Sequence, residues 1–236
     1  MNRATITRLN QDFYKEVALS FSSTRHYPWQ SWDKFLSLSR LSLQQQLEVA
    51  DIGCGNGRLA LWLAEKALAF QYYGCDSNED FLREVQNSIP SSQTQNRDLV
   101  ERLLEKDFQL PRQFDLICLF GVFHHLPSFD LRHELLQRLS EATKPGGELW
   151  LTAWTPLTAL LDRHQVAQEN GIDSGQLEPG DEFLGWKDSS SVRFVHCLQP
   201  QELEAILLET PWQIQAQWQE SERGERGNAC FLLRKK

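Results

Sequence analysis

Residues 47–65 read LEVADIGCGNGRLALWLAE, and this stretch constrains the fold more than any other. A short apolar run feeds directly into three glycines at alternate positions, Gly53, Gly55 and Gly57, and then into apolar residues at helical spacing. Glycine tolerates dihedrals closed to other residues and lets a ligand approach the backbone closely. A strand, a glycine turn and a helix in that order belong to an open α/β sheet, whose ligands sit at the carboxyl ends of the strands.

The rest of the chain extends the pattern. FQYYGCD (70–76) reads as a second strand and NEDFLREVQNSI (78–89) as a second helix. A third strand is expected near Gln95–Leu99. FDLICLFGVF (114–123) is strongly apolar, as expected of a strand covered on both faces. DLRHELLQRLSEAT is an amphipathic helix that KPGG is expected to end, and ELWLTAW (148–154) is the next strand. Phe13, Val17 and Phe21 mark an earlier helix, and WDKFLSLSRLSLQQQ a second one. Near the end, PQELEAILLE reads as a helix, and WQIQAQWQE and NACFLLRKK as an antiparallel hairpin. Alternating strands and helices predict an α/β, Rossmann-like, doubly wound sheet of seven strands with N-terminal helices and an inserted cap. The expected divisions are an N-terminal helical segment (1–46), a nucleotide-type core (47–155), a cap (156–199), and a last helix and hairpin (200–236) of the same domain.

Composition narrows the function. Hydrophobic residues make up 41% and charged residues 24%, an ordinary globular balance. The formal net charge of −8 argues against unaided nucleic-acid binding, and no DNA partner is expected. Cys54, Cys75, Cys118, Cys197 and Cys230 form no C-x-x-C pair and read as reduced core thiols. With a polar N-terminus and no run of about 18 apolar residues, a soluble, cytoplasmic protein without a membrane contact is expected. No metal site is evident. Trp29, Trp32, Trp186, Trp212 and Trp218 lie outside the core segment, and such residues line pockets or serve as buried bulk.

Asp76 ends the second strand, 19 residues after Gly57. That spacing suits an acid accepting hydrogen bonds from ribose hydroxyls. The G-x-G-x-G loop, with Asp51 two residues before its first glycine, departs from the G-x-G-x-x-G form that cradles a pyrophosphate. An acid beside the loop suits an ammonium group instead.

DIGCGNGR, YGCDSN, FDLICLFGVFHHL and KPGGELWLTAW occur in the order used by the class I S-adenosylmethionine-dependent methyltransferases, and the chain resembles that family over residues 47–154. FSSTRHYPW, GVFHHLPSFDLRHELLQRLSEATKPGG, GDEFLGW and VRFVHCLQPQEL are similar to segments of the tRNA wobble-uridine carboxyl methyltransferases, and the FGV-x-HH signature to uncharacterised bacterial relatives. Val195 stands where those tRNA enzymes favour an aromatic residue. The resemblance implies S-adenosylmethionine as cofactor. It implies a tRNA carboxymethyl-type acceptor, or a small metabolite, and a small helper protein of the kind those tRNA enzymes use. An NAD-dependent oxidoreductase and an inactive binding homologue are the competing readings.

Residue roles follow from the same match. Gly53, Gly55, Asn56 and Gly57 shape the loop under the methionine part of the cofactor, with Asp51 contacting it from the first strand. Asp76 takes the ribose with Ser77 beside it, and Asp98 with Leu99 contacts adenine; Asp107 competes for that place. Phe120 closes the fourth strand beside the methyl group. His125, with His124 before it, faces the acceptor, serves as a base, or merely packs. Arg25, Trp29, Arg193 and His196 are the acceptor-side candidates, because arginine matches carboxylate or phosphate with a planar fork.

Overall fold

The computed structural model describes residues 3–22, 27–155, 161–185, 191–222 and 226–236, with the side chains of 18–22, 221, 222 and 226 left aside. In chain order the elements are α1 (Arg3–Ser22), α2 (Gln30–Leu38), β1 (Leu47–Ile52), α3 (Arg58–Glu65), β2 (Phe70–Asp76), α4 (Glu79–Ser88), β3 (Gln93–Asn96), α5 (Leu99–Leu104), β4 (Phe114–Leu119), α6 (Phe129–Glu141), β5 (Thr143–Trp154), α7 (Arg163–Glu169), β6 (Asp181–Gly185), β7 (Val192–His196), α8 (Glu202–Leu207), β8 (Trp212–Glu222) and β9 (Arg226–Lys235).

Seven strands form one sheet in the order β3-β2-β1-β4-β5-β9-β8. The pairs from β3 to β5 are parallel, and β9 pairs antiparallel with both β5 and β8. This is the expected doubly wound sheet with its closing hairpin. One face is covered by α2, α3 and α4 through Trp32, Phe35, Leu59, Trp62, Leu82 and Val85. The other is covered by α5, α6 and α8 through Leu103, Leu131, Leu135, Leu139, Leu203 and Ile206. Strand order reverses at β1, which lies between β2 and β4, and a crevice opens at such a switch point.

The cap is built from α7 and the two-stranded β6–β7 hairpin. It shares a small core with α1, in which Ile6 packs with Val166, Ala167, Ile172, Phe183 and Phe194. Asn10 of α1 accepts the Phe194 N–H of β7 at 2.7 Å. The first helix therefore lies against the cap, above the sheet's carboxyl edge.

Local expectations need three corrections. The third strand is Gln93–Asn96, because Asp98 caps a short helix instead of ending a strand: its side chain accepts the Glu101 N–H at 2.9 Å. KPGG does not stop α6. The helix ends at Glu141 with Ala142 as its cap, and 144–147 open β5. There β5 runs from Thr143 to Glu148 while β4 advances only from Phe114 to Leu116, so the extra residues bulge out around Gly146 (φ 74°). The second helix stops at Leu38, short of the expected 46. All five cysteines are free thiols and buried. Trp212 and Trp218 are bulk, against α6 and Phe35 respectively; Trp186 lies outside the described residues.

Candidate active site

The glycine turn follows from its surroundings. Gly53 sits at φ 72°, and a Cβ there would lie 2.2 Å from Val122 Cγ2. Both the dihedral and the space demand glycine. At Gly55 a Cβ would meet nothing within 4 Å, so the backbone presents an open cradle. Gly57 plays a different part from the expected one. It precedes α3 at φ 79°, its Cβ position is filled by Val85 of α4, and it does not line the crevice.

The crevice has a cavity volume of about 330 Å³, at the lower end of ordinary ligand sites. Asp51, Gly53, Gly55, Asn56, Asp76, Ser77, Asp98, Leu99, Phe120, His125 and Arg193 all line it. Asp107 does not; it pairs with Arg102 at 2.9 Å. Arg25 lies outside the described residues.

At the donor end two carboxylates are held differently. Asp76 Oδ2 accepts the Gly55 N–H and Oδ1 the Asn78 N–H, each at 2.9 Å, which ties the glycine turn to the end of β2. Burial pushes its carboxyl above the ordinary value, and these backbone donors pull part of the way back. Asp51 is buried on β1, where the Tyr72 hydroxyl donates to its Oδ2 at 2.7 Å. Burial pushes Asp51 up to about 7, Tyr72 and Arg58 hold it down in part, and Asp76 adds to the rise. A cradle of open backbone beside one buried and one half-buried acid fits the amino-acid and ribose parts of S-adenosylmethionine.

Phe120 is walled in by α2: its ring lies 5.8 Å from Trp29, 5.7 Å from Trp32 and 5.5 Å from Phe35, centre to centre. Trp29 both lines the crevice and stacks on Trp32. Beyond Phe120, Phe123–His125 form a short 3-10 turn. His124 is buried and stacks on Trp154, 4.1 Å between centres with the planes 17° apart. His125 Nε2 lies 2.8 Å from the Tyr14 hydroxyl and its Nδ1 3.3 Å from the Phe194 carbonyl.

Arg193 is buried among rings, with its guanidinium carbon 5.0 Å from the centre of Phe13, 5.7 Å from Tyr14 and 5.1 Å from Trp154. Its Nη1 donates to the Tyr14 hydroxyl at 2.7 Å. Aromatic faces stabilise a cation that has been taken out of water.

His196 is corrected. It does not reach the crevice, because its ring is clamped between Asp181 (Nδ1–Oδ1 2.7 Å) and Glu202 (Nε2–Oε2 2.9 Å). Arg132 joins the same cluster through Glu202 at 2.8 Å and through Glu178. Glu178, Asp181 and His196 are near enough to surround a cation, but these ion pairs and hydrogen bonds already engage them.

Several lining residues escaped the sequence reading: Thr7, Asn10, Gln11 and Tyr14 of α1, Trp154, and Asn228. One signal was present. Asn10 lies four after Ile6 and three before Phe13, so a polar side chain interrupts the apolar stripe of α1.

The family described as "Methyltransferase domain" matches residues 50–149. Residues 50–149 therefore match a methyltransferase domain. The methyltransferase domain is 32% identical over 152 residues to the tRNA (carboxymethyluridine(34)-5-O)-methyltransferase of Mus musculus, covering 60% of this chain and 19% of that protein. It is 26% identical to trans-aconitate 2-methyltransferase of Escherichia coli K12, covering 70% and 61%. The chain thus spans less than two thirds of these relatives. Among solved structures, a SAM-dependent methyltransferase from Methanosarcina mazei aligns with a TM-score of 0.65 at 17% identity, covering 88% and 98% of the two chains. Magnesium protoporphyrin IX methyltransferase of Synechocystis PCC 6803, which has bound SAM, aligns at 0.64 and 15% identity, covering 100% and 98%. Both agree in fold.

Proposed function

We propose that the chain transfers a methyl group from S-adenosylmethionine to a carboxylate, most specifically the carboxymethyl group of a tRNA wobble uridine. The observation that carries the acceptor class is Arg193, a buried cation lining the crevice inside a cage of Phe13, Tyr14 and Trp154. Its planar fork suits a carboxylate, and the Trp29 and Trp154 rings that line the same crevice suit a flat base. The relatives' named acceptors, a carboxymethyluridine and trans-aconitate, both carry a carboxylate.

On this reading Gly53, Gly55, Asn56 and Asp51 hold the amino-acid end of the donor, Asp76 and Ser77 its ribose, and Asp98 and Leu99 its adenine. The bound donor supplies an electrophilic methyl group on sulfur. A carboxylate is ionised near neutral pH, so no base has to remove a proton. The protein aligns the two reactants and excludes water, and such orientation lowers a barrier by roughly 7–11 kcal/mol. Arg193 holds the acceptor, together with Arg25. Phe120 packs beside the reacting carbon.

A small-molecule carboxylate is the second reading, favoured by the trans-aconitate relatives. With a net charge of −8, tRNA docking is assigned in part to a small helper protein, and the setting to the cytoplasm. No helix among the described residues is long and apolar enough to cross a membrane. Mass spectrometry of tRNA nucleosides from a strain lacking the protein separates the two readings. Loss of a wobble-uridine methyl ester is the expected result, and an unchanged nucleoside profile removes tRNA as the acceptor.

A further inference from the structure

The link between the buried cation and the histidine is a residue of the first helix. Tyr14 Oη accepts from Arg193 Nη1 at 2.7 Å and lies 2.8 Å from His125 Nε2. An arginine only donates, so one lone pair of the Tyr14 oxygen is committed to it. The oxygen keeps a second lone pair, so the direction of its bond to His125 Nε2 is set at the far side of the ring: with the ring proton on Nδ1, Nε2 accepts the hydroxyl proton. The ring proton is placed on Nδ1, facing the Phe194 carbonyl at 3.3 Å. The Asn10 amide, turned by its bond to Phe194 N, meets Nδ1 only at 3.4 Å, a longer contact that would need the opposite tautomer.

We infer that Tyr14 is a positioning residue that makes the acceptor end selective for groups arriving already ionised. The inference rests on the carboxylate reading above and adds its cause. Tyr14 does two things with one hydroxyl: it orients the Arg193 fork, and it occupies the Nε2 lone pair that a neutral amine or phenol would need for losing its proton. The same ring packs edge-on against His125, 5.3 Å between centres, and against Phe13 at 5.2 Å, so the hydroxyl is held from both sides. The aromatic packing survives in Tyr14→Phe and only the hydroxyl is lost.

The test compares the full-length wild type with Tyr14→Phe in two measurements. The first is the long-range ¹H–¹⁵N spectrum of the histidine rings with S-adenosylhomocysteine added and His125 assigned by His125→Gln. A single Nδ1–H tautomer in the wild type, giving way to a mixture in Tyr14→Phe, is expected. An Nε2–H tautomer in the wild type, or identical spectra, overturns the assignment. The second is steady-state methyl transfer to trans-aconitate and to tRNA from a strain lacking the protein. For whichever probe is turned over, KM for the acceptor should rise roughly tenfold or more in Tyr14→Phe, with kcat and the affinity for S-adenosylhomocysteine little changed. An unchanged KM overturns the role. If the wild type turns over neither probe, the carboxylate reading fails and the selectivity falls with it. The ring spectrum still decides separately whether Tyr14 fixes His125.

Discussion

Asp51 shows how a residue at the floor of the crevice ties ligand binding to pH. Its carboxyl is raised to about 7 by burial, against 3.8 for a free side chain. An ammonium group bound beside it favours the ionised form. Donor binding below pH 7 therefore has to expel a proton. Affinity for S-adenosylhomocysteine, measured by calorimetry between pH 5.5 and 8.5, should be flat above about pH 7 and weaken by up to about tenfold per unit below it. Proton release measured in two buffers of different ionisation heat should accompany it. A flat profile throughout would remove Asp51 from the ammonium site. The same shift has a cost in the empty protein. The folded chain holds this proton more tightly than the unfolded one, so the Asp51 contribution to stability falls as pH rises from about 4 to about 7.

At the scale of elements, a cluster of charges fastens the cap to α6 and α8. His196 of β7 sits between Asp181 of β6 and Glu202 of α8, and Arg132 of α6 bonds to Glu178, Glu202 and the Leu126 carbonyl. Burial works against the His196 charge, but its bonds to Asp181 and Glu202 outweigh that and raise its pKa overall. Burial would raise Glu202, yet His196, the Gln199 N–H and Arg132 bring it below its ordinary value. A raised histidine contributes fully below its unfolded value, about 6.5, and loses that contribution as pH climbs through the folded value. A lowered glutamate contributes above about 4.5 and loses it as pH falls through the folded value. His196→Gln should cost about 3–5 kcal/mol, because it leaves buried carboxylates short of a partner. Thermal melts at pH 6 should show a loss that shrinks as pH is raised. A loss independent of pH would mean that the ring acts only by packing.

Which elements could be read in advance follows from the same physics. β1, β2, β4 and β5 announce themselves because strands largely buried on both faces leave mostly apolar runs, the closing hairpin by the alternation of apolar and polar residues along β8, and the glycine turn by its three glycines. α5 hid in a polar stretch because six residues make less than two helical turns, and only Asp98 marked its start. His196 was misplaced in function because its neighbours in sequence are shared with the acceptor-side segment, while its partners, Asp181 and Glu202, come from separate elements. Asn10 and Tyr14 entered the site through packing of α1 on β7, a long-range contact of which the polar break at Asn10 in the apolar stripe is the one local sign.

On the proposed function, the molecule is a sheet with a donor end and an acceptor end, supplied by different parts of the chain. The donor end comes from β1, β2 and the turns that follow them, and is built around Asp51, Gly55 and Asp76. The acceptor end comes from α1, the turn after β4 and the cap, through Tyr14, His125 and Arg193. The chain carries a formal net charge of −8, so a large polyanion is not held by overall attraction, and the acceptor end has to do the selecting. All of this depends on the donor lying in the glycine crevice with its sugar on Asp76. Calorimetric titration of S-adenosylhomocysteine into the wild type and into Asp76→Ala tests that most directly. One site per chain, weakened roughly tenfold or more in the variant, is the predicted result. Equal affinity in both proteins, or no binding to the wild type, would contradict it.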